Sequence, residues 1–253
     1  MFKIENLFYC PVKSLSFNES NSFKIIKNKG IENDRIFAFV QNQELHKIEQ
    51  IIENPKSRKL NNFLTLKNTP ELNKFNFIYS DEKLTLRDST KEIISINPQT
   101  NSDQILIANK IKNLIKKDKK INFLVDKKNP FFDTMPDNSI SLINKDSIKD
   151  FEKKINMKIE YQRFRSNIYV SGGGAWSERE LIGKTITIND INFFVSEEIP
   201  RCSATNLKPK TSNITMNLPN LLKKTYDHIN MGIFLIPQNN GNIFFNDEIK
   251  INV

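Results

Sequence analysis

The chain has 253 residues, 38% of them hydrophobic, and a formal net charge of +9. This length suits one large domain or two small ones, and the lysines are spread along the chain instead of clustering with aromatic residues, which argues against a nucleic-acid-binding protein. Two cysteines, Cys10 and Cys202, are too few for a disulfide framework, and we find no secretory signal or transmembrane stretch. We therefore predict a cytoplasmic protein with free thiols, and neither a membrane nor a nucleic acid as partner.

The first part of the chain is typical of a small β-barrel or sandwich. Short apolar runs rich in Phe, Ile and Val are separated by polar turns at barrel-like spacing. The predicted strands cover residues 2–4, 7–9, 23–26, 35–40, 63–66, 75–79 and 83–86.

The hydrophobic period then changes. Apolar residues three and four positions apart predict a helix over 102–117, and a second helix opens at Asp146. The charged run that follows the first helix predicts a boundary between modules 1–117 and 118–253. Strands return at 161–170, 185–188, 191–195, 233–236 and 242–253. The predicted fold class is mostly β with a few helices (α+β).

Cys202 stands in a proline-bounded loop, directly after Arg201. A guanidinium beside a thiol favours the thiolate, which is both a nucleophile and a metal ligand. The alternative is a small buried hydrophobic residue, because free cysteine is among the residue types most often buried.

Other segments offer groups for an anionic ligand. On a strand over 161–170, Arg163, Arg165 and Asn167 would share one face and form a fork for an anionic or heteroaromatic ligand, or else an ordinary solvated face. The lysine and hydroxyl of Lys13 and Ser14, together with the Arg35 guanidinium, are the parts of a phosphate or pterin cradle. Asp133, in a loop between prolines, could orient a ligand or cap the loop.

Taken together, five segments in chain order resemble the MOSC proteins, the molybdenum cofactor sulfurase C-terminal family, with their N-terminal β-barrel partner. They are residues 9–15 (YCPVKSL), 30–37 (GIENDRIF), 163–173 (RFRSNIYVSGG), 201–205 (RCSAT) and the closing strands from 232 to 247.

The resemblance implies an N-terminal β-barrel-like module packed on a MOSC β-barrel, with a molybdenum cofactor (Mo-molybdopterin) between them. Cys202 would be the catalytic residue and the protein's ligand to molybdenum. The implied cofactor-binding residues are Lys13, Ser14, Arg35, Arg165, Asn167 and Arg201.

Similarity to the mitochondrial amidoxime-reducing component and its bacterial relatives implies a molybdenum-dependent oxidoreductase acting on small N-hydroxylated substrates. Bacterial relatives can carry a cysteine-rich C-terminal module, and no such module is seen before Val253. We therefore expect electrons from a separate donor: a ferredoxin, a cytochrome b5-like protein or a flavin reductase. The family is also associated with pyridoxal phosphate binding.

Two other functions stay open. The protein could be a molybdenum cofactor carrier, or a sulfur-transfer module in which Cys202 bears a persulfide, without substrate turnover. It could also be a basic RNA- or DNA-binding barrel, but Phe164 alternates away from the arginines on the predicted strand, which does not favour base stacking.

Overall fold

The computed structural model describes residues 1–15, 17–116, 118–132 and 139–251. Within these ranges the chain forms sixteen strands and four α-helices. The strands are β1 (Phe2–Tyr9), β2 (Asn18–Ser20), β3 (Ser22–Ile26), β4 (Gly30–Ile31), β5 (Phe37–Gln41), β6 (Asn76–Ser80), β7 (Lys83–Arg87), β8 (Glu92–Ile96), β9 (Ile121–Val125), β10 (Ile140–Asn144), β11 (Ile168–Ser171), β12 (Thr185–Ile188), β13 (Ile191–Pro200), β14 (Asn230–Pro237), β15 (Gly241–Phe244) and β16 (Glu248–Ile251). The helices are α1 (Leu45–Glu53), α2 (Asn101–Ile115), α3 (Lys145–Ile155) and α4 (Leu218–Tyr226).

Seven strands close into a barrel in the order β11-β10-β14-β13-β12-β16-β1, and antiparallel pairing of β1 with β11 completes the ring. Only β10 and β11 pair in parallel within it. Alternate residues point inward and form one apolar core, which includes the fully buried Ile4, Val170 and Phe193. The predicted fold class, mostly β with a few helices and a barrel, is confirmed.

Strands β5 to β9 and helix α2 build a second core beside the barrel, whereas β3 and β4 pack on the barrel core through Phe23, Ile25 and Ile31. Strands β5 and β9 pair, β6–β7–β8 form a small antiparallel sheet, and α2 packs on β9. Their apolar faces meet around Phe37, Phe39, Phe77 and Ile111. Strand β1 belongs to the barrel and not to this second core. The barrel is therefore built from strands of both halves of the chain. The boundary between 117 and 118 stays a prediction, and Lys117 lies outside the described residues.

Both predicted helices are present. Helix α3 begins where the Asn144 side chain accepts a hydrogen bond from the Asp146 amide, and it ends at Asn156, which adopts the left-handed conformation. Across the described ranges, no helix has the length and apolarity needed to cross a membrane.

Candidate functional site

Cys10 is the centre of the candidate site. Its side chain is fully buried, and its Sγ lies 2.8 Å from the carbonyl oxygen of Val12 and 2.9 Å from that of Leu15. Burial raises the pKa of the Cys10 thiol, so it stays protonated and shares its single proton between these two oxygens. The two carbonyls flank Lys13 and Ser14, and Ser14 has a φ of 61°. The thiol therefore fixes both ends of the turn that carries the predicted lysine–serine pair.

A second turn is held by the same residue. The Cys10 amide donates to Asp34 Oδ1 at 2.6 Å, and the Arg35 amide donates to the Cys10 carbonyl at 2.6 Å. The buried Asp34 carboxylate also pairs with the Arg35 guanidinium. From the other half of the chain, Arg165 Nη2 comes to 3.6 Å from Cys10 Sγ. Three segments far apart in sequence thus meet at one residue.

Lys13 is 2% exposed, and its Nζ donates to the Phe131 carbonyl at 3.0 Å. Burial lowers the pKa of Lys13 to about 7, and the nearby Arg35 and Arg58 guanidiniums add to the effect. The ammonium is therefore near its titration point at neutral pH, where a nearby anion would favour its charged form. Asp133, predicted to orient a ligand or cap its loop, follows Phe131 and Phe132 in the chain and lies outside the described residues.

Replacing Lys13 with methionine should change how stability depends on pH. Lys13 has a pKa of about 7 when folded, against an ordinary 10.5, so between these values the unfolded chain binds more protons and wild-type stability rises with pH. The cost of burying the ammonium is complete below pH 7 and is relieved as pH increases. The gain in stability of Lys13→Met over wild type should therefore shrink across this window. Urea denaturation below pH 7 and above pH 10.5 measures this difference in the free energy of unfolding, with the exposed Lys27→Met as control. A difference that does not change with pH contradicts the prediction.

The segment 161–170 is not the continuous strand predicted from its sequence. Residues Tyr161–Phe164 form a 3₁₀ helix, and Arg165 is left-handed, with φ 53°. The turn is favoured because the buried Arg163 guanidinium donates to the Asn206 carbonyl at 3.0 Å and to Thr215 Oγ1 at 2.6 Å. The proposed common face of Arg163, Arg165 and Asn167 is therefore wrong, since strand alternation does not apply here.

Asn167 is 1% exposed and bonds to the protein through both ends of its amide. Its Nδ2 donates to the Phe8 carbonyl at 3.0 Å, while its Oδ1 accepts from the amide and hydroxyl of Ser141 at 3.2 and 2.9 Å. These bonds tie β1 to β10 beside the Cys10 cluster.

Arg201 is also turned inward. Its Nε donates to the Met231 carbonyl at 2.8 Å and its Nη1 to the Phe164 carbonyl at 2.8 Å. Burial lowers the pKa of Arg201 to about 10, which leaves it cationic at neutral pH. Phe164 precedes Arg165 in the chain, so this guanidinium holds the backbone beside Arg165, and Arg201 is itself the chain neighbour of Cys202.

Cys202 lies at the surface. Strand β13 runs on to Pro200, five residues beyond the predicted strand end, and Cys202 then caps the 3₁₀ helix Ser203–Asn206. Its carbonyl accepts from the Thr205 amide at 3.1 Å and from the Thr205 hydroxyl at 2.9 Å, and its thiol is exposed. The alternative of a small buried hydrophobic residue is thus wrong for Cys202, although it describes the position of Cys10.

A cleft of about 810 Å³ opens beside these residues. Its lining comes from both halves of the chain and includes Phe8 and Phe17 from the N-terminal half, and Arg165 and Ala204 from the C-terminal half. Ala204 is two residues after Cys202, so the cleft reaches the loop that carries the exposed thiol.

The MOSC domain model matches residues 128–250, and the MOSC N-terminal beta barrel domain model matches residues 1–125. The chain belongs to the MOSC family. MOSC domains are associated with molybdenum cofactor binding or sulfurase-like function.

Two solved structures are similar to this MOSC protein. The YUAD protein from Bacillus subtilis is 12% identical, with 99% of this chain and 96% of that one covered and a TM-score of 0.47. YiiM from Geobacillus stearothermophilus is 15% identical over 45% of this chain and 54% of that one, with a TM-score of 0.36. A comparison with curated proteins gave no match.

In this MOSC protein, the predicted cofactor-binding residues fall into two groups. Ser14, Arg35 and Arg165 are partly exposed and can reach a ligand. The other three, Lys13, Asn167 and Arg201, are buried and donate hydrogen bonds to backbone carbonyls. Their roles toward a cofactor stay predictions.

Sequence reasoning missed Cys10 as the residue that joins the cluster, and it did not predict the hydrogen bond from the Cys10 amide to Asp34. The one available signal was position, because Cys10 stands three residues before Lys13 in the same motif.

Proposed function

We propose that this protein binds Mo-molybdopterin and reduces N-hydroxylated compounds with electrons from a separate ferredoxin, cytochrome b5-like protein or flavin reductase. The observation that carries the proposal is the position of Arg201: it precedes the exposed Cys202 in the chain, and its guanidinium binds the Phe164 carbonyl beside Arg165, which contacts the Cys10 cluster. We further propose that the chain works in the cytoplasm as two modules, 1–117 and 118–253, which the two free cysteines and the charged run at 116–120 support.

The residues fit such a cofactor in charge and in ligand type. A pterin phosphate is anionic, and Ser14, Arg35 and Arg165 offer a hydroxyl and two guanidiniums with partial exposure. Among the described residues, no three His, Cys, Asp or Glu side chains group closely enough to hold a metal ion. A metal on Cys202 therefore needs further donors, and a dithiolene pterin carries its own sulfur ligands.

When bound, the cofactor supplies the two-electron oxygen-atom chemistry, and the protein supplies binding and electrostatics. Cys202 provides a soft thiolate ligand from an exposed loop. Arg35 and Arg165 orient the anionic part, while Asp34 and Cys10 fix these two arginines in place. Lys13, with its pKa near neutrality, can gain a proton when an anion binds and so stabilise the added negative charge.

A second function uses the same thiol without substrate turnover: a cofactor carrier, or a sulfur-transfer module with a persulfide on Cys202. The exposure of Cys202 favours it, because an acceptor protein needs direct access to the transferred sulfur.

Turnover separates these functions. Purified protein loaded with Mo-molybdopterin should oxidise reduced methyl viologen only when hydroxylamine is added, because each N–O bond broken takes two electrons and two protons and releases ammonia and water. Protein without cofactor is the control. Loaded but inactive protein supports the carrier. Transfer of the outer sulfur from persulfide-loaded, cofactor-free protein to an added thiol, which becomes the persulfide while Cys202 returns to the thiol, supports sulfur transfer. Failure of the chain to retain molybdenum or pterin contradicts cofactor binding itself.

A further inference from the structure

The cleft beside the Cys202 loop has the size and lining of a small-molecule site. Its volume of about 810 Å³ lies within the ~300–1,000 Å³ typical of ligand pockets. Phe8 and Phe17 stack in one wall with ring centroids 4.6 Å apart, and the Arg165 guanidinium lies 5.1 Å from the Phe17 ring. Such a wall suits a planar aromatic group, which can pack on a ring face or a guanidinium plane.

The rim of the cleft is cationic. Four exposed basic side chains line it, and in the described part of the chain none of them has an acidic side chain at ion-pair distance. These rim cations are Lys74, Arg87, Lys208 and Lys210.

The acidic side chains that line the same cleft are engaged with other groups. Glu160 pairs with Arg163, and Glu19 accepts a hydrogen bond from Asn6 at 2.7 Å. Asp88 accepts the backbone amides of its own turn, at 2.8 and 2.9 Å. The lining has three acidic side chains against six basic ones, the four rim cations with Arg163 and Arg165, so its net charge is positive.

We propose that this cleft binds a small aromatic anion, a carboxylate or a phosphate, with its ring against the wall formed by Phe8, Phe17 and Arg165 and its acid group among the rim cations. The cleft is distinct from the proposed cofactor cluster, because Lys13, Ser14 and Arg35 do not line it. Arg165 borders both. One consequence rests on the proposed function. If the protein is the reductase, the N-hydroxylated substrates that it turns over most efficiently are aromatic compounds that carry an acid group.

Direct binding tests the inference without any turnover. Phenyl phosphate, benzoate and the neutral benzamide are titrated into the purified full chain by calorimetry at low and high salt. At least one anion should bind about tenfold more tightly than benzamide, and the difference should fall at high salt, since exposed charge interactions are screened. The better of the two anions identifies the acid group. If neither binds better than benzamide, the inference is overturned.

Substitution of two rim lysines tests whether the anion binds at the rim of the cleft. Lys208→Gln combined with Lys210→Gln should weaken anion binding by about fivefold, as expected for two exposed charge contacts. The matched control is Lys224→Gln, an exposed lysine on α4 outside the cleft. Equal affinities for the double variant and the control overturn the assignment.

The two proposals fail separately. Anion binding by protein that never reduces hydroxylamine leaves the cleft assignment intact and rejects the reductase. Hydroxylamine reduction with no preference for the anions over benzamide rejects the cleft assignment alone. In the loaded enzyme, 4-carboxybenzamidoxime should have a lower KM than benzamidoxime, with kcat little changed, because the rim contacts bind substrate and transition state alike.

Discussion

Cys202→Ser should lose molybdenum. A serine hydroxyl stays protonated at neutral pH and is a hard oxygen donor, whereas the thiolate is the soft ligand that the proposed cofactor needs. Loss of residues that only support a metal ligand typically costs about 10–100-fold in affinity, so loss of the ligand itself should cost more than about 100-fold. Metal analysis and pterin fluorescence of wild type and variant, purified under the same conditions, measure the difference.

The fold should be unaffected by this change. Cys202 is exposed, and its structural hydrogen bonds use the backbone carbonyl, which serine retains. We therefore expect the free energy of unfolding to change by less than about 0.5 kcal/mol. Ser203→Ala, at the neighbouring exposed position, is the matched control and should keep the metal. Equal molybdenum contents in Cys202→Ser and wild type would falsify the assignment of this thiol as a ligand.

Local patterns predicted many elements of the fold, but the predicted strand at 63–66 is wrong, because this segment holds only an isolated bridge between Phe63 and Val40. Helix α2 showed apolar residues at three- and four-residue spacing, and its observed buried side chains include Ala108, Ile111 and Ile115. Closure of the barrel could not be read from local patterns. It depends on the pairing of β1 with β11, residues Lys3 and Ser171 for example, which lie far apart in sequence. Helices α1 and α4 were missed, although Asn217 accepts a hydrogen bond from the Asn220 amide at the start of α4.

The sequence predicted which residues belong to the site. It did not predict which of them are buried and which face solvent. Lys13, Arg35, Arg165 and Asn167 do converge, but only the structure separates the residues that face solvent from those that hold the cluster together. The predicted side-chain directions at 161–170 were wrong, because the hydrogen bonds of Arg163 to Asn206 and Thr215 outweighed the tendency of this segment to form a strand. Composition likewise could not tell which of the two cysteines is buried.

Arg201→Leu should be strongly destabilising. The guanidinium donates to the Met231 and Phe164 carbonyls in a buried position, and leucine leaves both oxygens without these donors. A buried polar group left unsatisfied costs about 1–3 kcal/mol, so we expect the free energy of unfolding to fall by about 3 kcal/mol. Urea denaturation of the purified variant gives this value.

Arg201→Lys separates charge from geometry. An ammonium keeps the positive charge beside Cys202 but lacks the planar fork that reaches two carbonyls at once, so this variant should lie between wild type and Arg201→Leu in stability. Because the Phe164 carbonyl directly precedes Arg165, the lysine variant should also bind the cofactor less tightly than wild type under conditions where it is fully folded. If Arg201→Lys matches wild type in both stability and molybdenum content, a positive charge at this position is enough for both. The inference that Arg201 positions Arg165 through the Phe164 carbonyl is then wrong.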